Sequence, residues 1–293
     1  MNVYSELEKL RKTCMTHTLI GGAITAVGFI GASTLLGILG MLMVAAGVLY
    51  LVLVAGKKQK EYKRFYKNHV VRQVLEEYLD DVHFAPDQGI DKRLIEDTEM
   101  MTMGNRYYSN DYIKASYKGT DFFQADVCIQ HHHSNGKNSY TVTYFKGRWF
   151  VFEFNKNFAH EMQIKEKSFS YSKVKKGVFT PKSEKFTEIK FEDVEFNKVF
   201  STYARNEQEA FYIVTPHFMQ NLMAFNNAVH GDILMCFIDN KLHLALHNNQ
   251  DAFEPGLFTR LDPEADRQNI MRDISVITQF VERLKLDNDI FKQ

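Results

Sequence analysis

The feature that most constrains this chain is a long stretch without charge. Residues 13–56 contain no Lys, Arg, Asp or Glu, and Lys12 and Lys57 flank the stretch. A helix needs about 20 apolar residues to cross a hydrocarbon core of roughly 30 Å, so a stretch of about 44 residues suits two crossings. Because lipid offers no partner to an unpaired backbone group, we expect two helices joined by a short turn.

The turn falls in a cluster of small residues near the middle of the stretch. This cluster covers residues 28–34, and its Ser33 or Thr34 can cap the start of a second helix. We therefore predict an N-terminal hairpin whose spans lie at about 14–30 and 34–55.

Basic residues lie at both ends of the apolar stretch and are absent from its turn. By the positive-inside rule, we expect a cell-membrane protein with two spans and both termini in the cytoplasm. A cleaved signal peptide is the alternative, but its apolar region is only about 7 to 15 residues long. The flanking basic residues are Lys9, Arg11 and Lys12 before the stretch, and Lys57, Lys58, Lys60, Lys63, Arg64 and Lys67 after it.

Residues 57–86 are predicted to form a basic juxtamembrane helix. Apolar residues recur at steps of four from Tyr62 to Tyr78, which predicts one packed face. In one interpretation, the basic residues between Lys57 and Lys67 form a lipid-facing patch, and each adds about 1 kcal/mol of attraction to an anionic leaflet. In the other interpretation, they set the topology and lie on a solvated face. Pro86 stops the helical pattern.

Residues 87–293 are predicted to form one cytoplasmic α+β domain with a mainly antiparallel sheet and flanking helices. From Asp111 onward, runs of β-branched and aromatic residues alternate with turn residues, which predicts a meander. We expect Lys146-Gly147 to be one of its turns. We expect the charged segment 161–176 to be an edge strand, since charges there discourage the addition of a strand from another molecule.

The C-terminal part alternates helices and strands. Pro216 and Pro263 each follow a helix-capping residue, so helices should begin at these prolines. Between them, residues 232–238 and 242–246 have the composition of a β-hairpin.

Composition excludes some classes of function. The chain has 36 basic and 36 acidic residues, whereas a nucleic-acid-binding protein would be expected to carry a clustered basic surface. Its 3 cysteines make no disulfide framework and agree with a reducing cytoplasm. The sequence contains no P-loop, dinucleotide fingerprint, nucleophile elbow or H-E-x-x-H motif.

Three consecutive histidines are the most conspicuous candidate metal ligands. Imidazole binds Zn²⁺ and Ni²⁺, but neighbouring strand residues point to opposite faces, so only His131 and His133 would share a face. A catalytic site would need a further ligand. The alternative is an exposed strand end without metal, and a divalent metal here is the one candidate cofactor. The imaginable further donors are Asp126, His243 and His247.

Glu192, Asp193 and Glu195 form a carboxylate cluster with two interpretations. The cluster has the chemistry for acid-base work or for a hard cation. Acidic residues are also favoured at the first turn of a helix, where they stabilise the positive end of its dipole. Both interpretations stay open at the level of sequence.

Three stretches form a recognisable set. The first is YFKGRWFVFEFNK at 144–156, the second combines FEDVEFN at 191–197 with TPHFM at 215–219, and the third is FEP at 253–255. Together they resemble the bacterial domain of unknown function 3137 family, whose members often carry an N-terminal membrane hairpin. The resemblance implies a bacterial inner-membrane protein and supplies no activity. Its motif residues here are Gly147, Trp149, Asn155, Glu192, Phe196, Pro216, Phe253, Glu254 and Pro255. Phe211 stands where the family pattern is expected to place Arg.

Three functional hypotheses remain. The first is a non-enzymatic, membrane-anchored module that binds a partner at the membrane surface. The second is a metal-dependent hydrolase, which requires His131 and His133 to converge with acidic residues in a concave site. The third is an oligomeric membrane element, for which small residues four apart, such as Gly22 and Ala26, would let helices of different protomers approach closely.

Overall fold

A computed structural model gives the fold of two compact units. The first, called the helical unit here, comprises Met1–Glu77 and Phe253–Arg272, and the second, called the sheet unit, comprises Tyr78–Ala252 and Asp273–Gln293. The residues that the structure describes are 3–33, 37–136, 138–154, 157–171 and 186–284.

Two long helices dominate the helical unit, and both are long and apolar enough to cross a membrane. Helix α1 is Val3–Ala32 and helix α2 is Gly37–Tyr78. Helix α2 contains two π-helical turns, Leu51–Ala55 and Lys67–Val71, where the backbone hydrogen bonds reach one residue further. The prediction of two apolar helices is confirmed, although the predicted start of the second span at Thr34 lies outside the described residues.

The two helices meet along glycines. A Cβ atom on Gly28 would lie 2.5 Å from the backbone nitrogen of Val44, and one on Gly40 would overlap the backbone of Ala32. Only glycine therefore permits this close approach. By contrast, a Cβ atom on Gly22 would meet nothing within 4 Å. We call this contact the glycine seam, and its buried glycines are Gly21, Gly28, Gly40 and Gly47.

The sheet unit is built on one antiparallel sheet of nine strands within the described residues. The strand order is β1-β2-β3-β4-β9-β8-β5-β7-β6, and every neighbouring pair is antiparallel. The predicted α+β class with a mainly antiparallel sheet is therefore confirmed. The strands are β1 (Asp80–Ala85), β2 (Arg106–Tyr117), β3 (Thr120–Ser134), β4 (Ser139–Glu153), β5 (Met162–Glu166), β6 (Thr187–Ile189), β7 (Phe200–Ala204), β8 (Asp232–Ile238) and β9 (Lys241–His247).

Five further helices complete the described chain. The helices predicted to begin at Pro216 and Pro263 are both present, and Thr215 caps the first of them by accepting a hydrogen bond from the N–H of Phe218. The helices are α3 (Lys92–Glu96), α4 (Val194–Val199), α5 (Glu207–Ile213), α6 (Pro216–Ala228) and α7 (Pro263–Leu284).

Large aromatic side chains fill the core of the sheet unit. Trp149 and Phe145 pack edge to face, with ring centroids 5.7 Å apart. Phe152 of β4 stacks on Phe280 of α7 at 5.1 Å, and Phe280 in turn contacts Phe225 of α6. These contacts hold α6 and the part of α7 after residue 272 against the sheet.

Two predictions are wrong: the end of the juxtamembrane helix at residue 86 and the turn at Lys146-Gly147. The segment predicted as helix up to residue 86 is helical only to Tyr78, and residues 80–85 form β1, which pairs with β2. Lys146-Gly147 is not a turn, since β4 runs through it without a break. Glycine is required there because a Cβ atom on Gly147 would overlap the carbonyl oxygen of Leu246 on β9.

Within the charged segment 161–176, Met162–Glu166 form an interior strand, so the prediction of an edge strand is wrong there; residues 172–176 lie outside the described residues. Strand β5 pairs with β7 on one side and with β8 on the other. Its Lys165 is buried, with the ammonium group 5.7 Å from the centre of the Tyr203 ring. The strand order instead places β1 and β6 at the two ends of the sheet.

Candidate functional site

The helical unit carries a basic cleft where the charge-free stretch ends. The cleft has a volume of about 510 Å³ and lies between the first turns of α1 and the part of α2 that follows Gly56. Three basic, two acidic and two apolar side chains line the cleft. Basic groups therefore outnumber acidic groups among its Lys, Arg, Asp and Glu side chains. These residues are Lys57, Lys60 and Arg64, Glu6 and Glu61, and Leu10 and Phe65; Asn68 and His69 complete the lining.

Two of the lysines predicted to face lipid bind a carboxylate instead. The Lys63 ammonium lies 2.5 Å from Glu254 Oε2, and the Lys67 ammonium lies 2.7 Å from Glu254 Oε1. Lys67 is only 5% exposed, so its assignment to a lipid-facing surface is wrong. Burial acts to raise the pKa of Glu254, but the Lys67 and Lys63 ammonium groups outweigh it and hold that pKa below its usual range.

The loop after Glu254 is tied to both long helices. The Tyr62 hydroxyl of α2 donates a hydrogen bond of 3.0 Å to the carbonyl oxygen of Gly256. The Arg11 guanidinium of α1 donates one of 3.1 Å to the carbonyl oxygen of Leu257, while it also binds Glu8. The charge pattern of the sequence identified Lys63 and Lys67, and the family motif identified Glu254. No signal in the sequence indicated that these lysines contact Glu254.

The histidines predicted as ligands form an aromatic row on β3 and β4. The rings of His131 and His133 lie on the same face with centroids 4.2 Å apart, as the strand periodicity predicts. His133 stacks on Tyr140 at 4.7 Å, and His131 stacks on Tyr144 at 5.8 Å. Within the described ranges, no group of three or more His, Cys, Asp and Glu side chains is placed to hold a metal ion.

The further donors lie too far along the sheet to join that row. His131 pairs with Val142 on β4, whereas His247 pairs with Gly147 and His243 with Val151. At about 3.3 Å per residue, those positions are roughly 17 Å and 30 Å away along the strand. The convergence that a metal-dependent hydrolase requires therefore does not occur among these residues.

His243 has a partner of its own. Its Nδ1 accepts a hydrogen bond of 3.2 Å from the indole N–H of the motif residue Trp149, and both side chains are buried. Burial, with a smaller effect of Lys241, lowers the pKa of His243 to about 3. The imidazole is therefore neutral and fixes the orientation of the indole inside the core.

Asp126, which the sequence suggests only as a further metal ligand, is a buried carboxyl group. Its Oδ2 accepts a hydrogen bond of 2.7 Å from the N–H of Ala252, and Arg148 is its cross-strand neighbour on β4. Burial, followed by the Asp111 carboxylate, raises the pKa of Asp126 to about 8. Asp126 therefore carries a proton at neutral pH and connects β3 to the residue that precedes the Phe253-Glu254-Pro255 motif.

The carboxylate cluster has a structural role at the start of α4. The Asp193 side chain accepts a hydrogen bond of 3.0 Å from the N–H of Phe196, as a helix N-cap does, and Glu195 pairs with Lys198 at 2.7 Å. Glu192 is exposed, and the Phe196 side chain is buried in the core.

Phe211 packs edge to face on Phe191 at 5.2 Å. The motif residue Asn155 lies outside the described residues.

These observations define an antiparallel-sheet domain that follows two long apolar helices. Residues 143–286 match the family described as "Protein of unknown function (DUF3137)", which supports the resemblance that the sequence motifs indicate. The match includes the motif residues from Gly147 to Pro255, whereas α1, α2 and the residues of the basic cleft lie outside it.

Comparison with curated proteins finds no match to this chain. Among solved structures, the chain is similar to the crystal structure of the mycobacterial trehalose monomycolate transport factor A, TtfA. The sequence identity is 8%, the alignment covers 74% of this chain and 93% of that chain, and the TM-score is 0.36. A likeness of this size carries no argument about function.

Proposed function

We propose that this protein is a two-span, membrane-anchored binding module of the bacterial inner membrane. In this proposal, α1 and the first part of α2 form the anchor, and both termini are cytoplasmic. The sheet unit, joined to the anchor by the chain, binds a protein partner near the membrane surface. The observation that carries the proposal is the pair of long apolar helices packed along the glycine seam, with basic residues where the apolar stretch ends.

The basic cleft supports contact with anionic lipid. Lys57, Lys60 and Arg64 line it within about two turns of the last apolar residue, at a depth where lysine and arginine reach phosphate groups. Lys63 and Lys67 are excluded from this role because Glu254 binds them. The proposed headgroup site is therefore smaller than the patch that charge patterning suggests.

Exposed apolar side chains support the binding of a protein partner by the sheet unit. Helices α4 and α5 present Val194, Phe211 and Tyr212 to solvent, with 46–63% of each residue exposed. Large apolar residues that remain in contact with water are favourable sites for protein association.

Cysteine accessibility in intact cells tests the topology. In a variant without the native cysteines, Ser33→Cys lies in the turn of the hairpin and Asn138→Cys lies in the β3–β4 hairpin. A membrane-impermeant maleimide should label Ser33→Cys from outside the inner membrane and should label Asn138→Cys only after permeabilisation. Labelling of Asn138→Cys in intact cells would overturn the proposed orientation.

Reconstitution tests the headgroup contact. The full chain in vesicles with anionic lipid should be more resistant to thermal unfolding than in neutral vesicles, and replacing Lys57, Lys60 and Arg64 by Gln should remove that difference. The matched control replaces Lys58, which pairs with Glu61, by Gln. Equal responses of the triple variant and the control to anionic lipid would contradict the role of the cleft.

A further inference from the structure

Phe258 is an apolar side chain with no place in the interior of the helical unit. It is 67% exposed, which makes it the most exposed large hydrophobic residue outside α1 and α2 among the residues that the structure describes. It lies in the loop between the Phe253-Glu254-Pro255 motif and α7. A single exposed apolar residue is ordinary, so its meaning depends on what holds it there and what surrounds it.

The loop is held at the level where the charge-free stretch begins. The residue before Phe258 accepts the hydrogen bond from Arg11, and Arg11 is two residues before Thr13, the first residue of that stretch. Gly256 accepts the hydrogen bond from Tyr62 on α2. These two hydrogen bonds, one from α1 and one from α2, therefore hold Phe258 beside the first turn of the apolar part of α1.

A cleft of about 690 Å³ joins the loop to that turn of α1. Phe258, Arg260 and Leu261 bound it on the loop side, and Arg11, Lys12 and Met15 bound it on the helix side. Met15 is already within the charge-free stretch. The surface next to Phe258 therefore continues directly into the apolar surface of the helix.

The charged side chains that line this cleft are mostly positive, although the Asp262 and Asp266 carboxylates act on Tyr4 at its edge. Among the described residues that line the cleft, Glu8 is the one carboxylate. It already binds Arg11 at 2.8 Å and Lys12 at 3.6 Å. Arg260 adds a further cation. An aromatic ring beside cationic side chains at the end of a membrane span is the arrangement found at the boundary between headgroups and acyl chains.

We infer that residues 256–261 form a third contact with the bilayer, in addition to the two spans. The Phe258 ring inserts at the boundary between the acyl chains and the headgroups of anionic lipids, and Arg260 and Lys12 bind their phosphate groups. This inference rests on the proposed function, because it requires the hairpin to lie in the membrane. It goes beyond the basic cleft, with which it shares no residue.

Tryptophan fluorescence in vesicles of brominated lipid tests the insertion. The native Trp149 is fully buried in the sheet unit, so the spectrum of the parent chain can be subtracted from that of each variant. The full chain with Phe258→Trp is compared with two matched variants. Leu42→Trp reports the apolar part of α2, and Glu76→Trp reports an exposed position on the same helix, about 30 Å beyond Gly56.

The expected result is quenching of Leu42→Trp and Phe258→Trp but not of Glu76→Trp. Adding Arg260→Glu to Phe258→Trp should reduce the quenching several-fold in vesicles of brominated phosphatidylglycerol, and less in vesicles of brominated phosphatidylcholine. The Phe258 side chain is exposed, so its replacement by Trp leaves the interior of the unit unchanged.

The outcomes separate this inference from the proposed function. If Leu42→Trp is quenched and Phe258→Trp is not, the hairpin is in the membrane and the loop contact is refuted. If neither is quenched, the proposed anchor fails and the inference fails with it. If Glu76→Trp is quenched as strongly as Phe258→Trp, the unit lies flat on the bilayer, and the specific role of the loop is refuted.

Discussion

The two units pack their interiors by opposite means. Along the glycine seam, α1 and α2 come together because Gly28 and Gly40 have no side chain. In the sheet unit, Trp149, Phe145 and Phe152 are fully buried and supply the packing surface themselves. If α1 and α2 lie in a membrane, as proposed, they gain mainly from close contact, because lipid is as apolar as leucine, whereas a domain in water gains from burying large apolar surfaces. The helical unit should therefore be sensitive to added atoms and the sheet unit to removed ones.

The units also differ in how they hold charge away from water. In the helical unit, the buried Lys67 ammonium lies 2.7 Å from the Glu254 carboxylate, whose pKa it helps to hold below the usual range despite burial. In the sheet unit, Asp126 is equally buried, and this burial, reinforced by the Asp111 carboxylate, raises its pKa to about 8. An opposite charge at close range favours a buried charge, whereas burial and a like charge disfavour it.

Each unit contains a buried cysteine that reports its own unfolding. Cys14 is buried in α1 and Cys236 is buried in β8. In a Cys128→Ser background, the rate at which a thiol reagent modifies each of them measures the opening of one unit. The four predictions below use this separation or the fluorescence of Trp149.

The largest effect is expected for Trp149→Ala. The change removes the largest side chain of the core and leaves the buried His243 nitrogen without its donor, so we expect a loss of about 3–5 kcal/mol in the free energy of unfolding. Modification of Cys236 should accelerate while that of Cys14 stays unchanged. Trp149→Phe, which keeps most of the ring volume, should be clearly milder; equal losses would show that ring packing is not the main contribution.

The next effect is expected for Asp126→Asn and depends on pH. Since burial raises the pKa of Asp126 to about 8, the native state keeps a proton that the unfolded chain loses above about pH 4. Raising the pH from 5 to 8 therefore removes on the order of 3 kcal/mol of stability through Asp126 alone, while the lowered pKa of His243 acts in the opposite direction. Asp126→Asn should abolish this loss.

Urea unfolding of the full chain, followed by Trp149 fluorescence at several pH values, measures this prediction. The difference between parent and variant isolates Asp126 from the other titrating groups. An identical pH dependence of stability in the parent and in Asp126→Asn would show that Asp126 is ionised in the native state.

Gly40→Ala tests the other side of the comparison. One added methyl group would overlap the backbone of Ala32, so the helices must separate, at a cost of about 1–3 kcal/mol. Modification of Cys14 should accelerate while that of Cys236 does not. Gly22→Ala is the matched control, because its methyl group would meet nothing within 4 Å. Equal effects of the two variants would contradict the seam.

The smallest effect is expected for Glu254→Gln. The buried Lys67 loses the charge of its partner but keeps a hydrogen-bond acceptor, so we expect a loss of about 1–2 kcal/mol in the stability of the helical unit. Glu61→Gln, which breaks the exposed pair with Lys58, should change stability by less than about 0.5 kcal/mol. A neutral Glu254→Gln would mean that Lys67 does not depend on this carboxylate.

Local patterns in the sequence were enough to predict the elements whose causes are local. The length of the charge-free stretch predicted two apolar helices, capping residues predicted the starts of α6 and α7, and alternation predicted the β8–β9 hairpin. Each of these depends on residues that are close in the chain. The prediction of an edge strand after residue 161 failed because the position of β5 depends on β7 and β8, which are distant in sequence.

The sequence by itself determined where apolar helices occur, which residues begin the C-terminal helices and which sheet class the remainder adopts, because hydrophobic period and capping act over a few residues. Only the tertiary structure decided that Glu254 binds Lys63 and Lys67, that Gly147 faces Leu246 in an unbroken strand, and that Asp126 and Lys165 are buried. These facts depend on which distant segments meet, and so on the summed packing of the whole chain rather than on any one stretch of it.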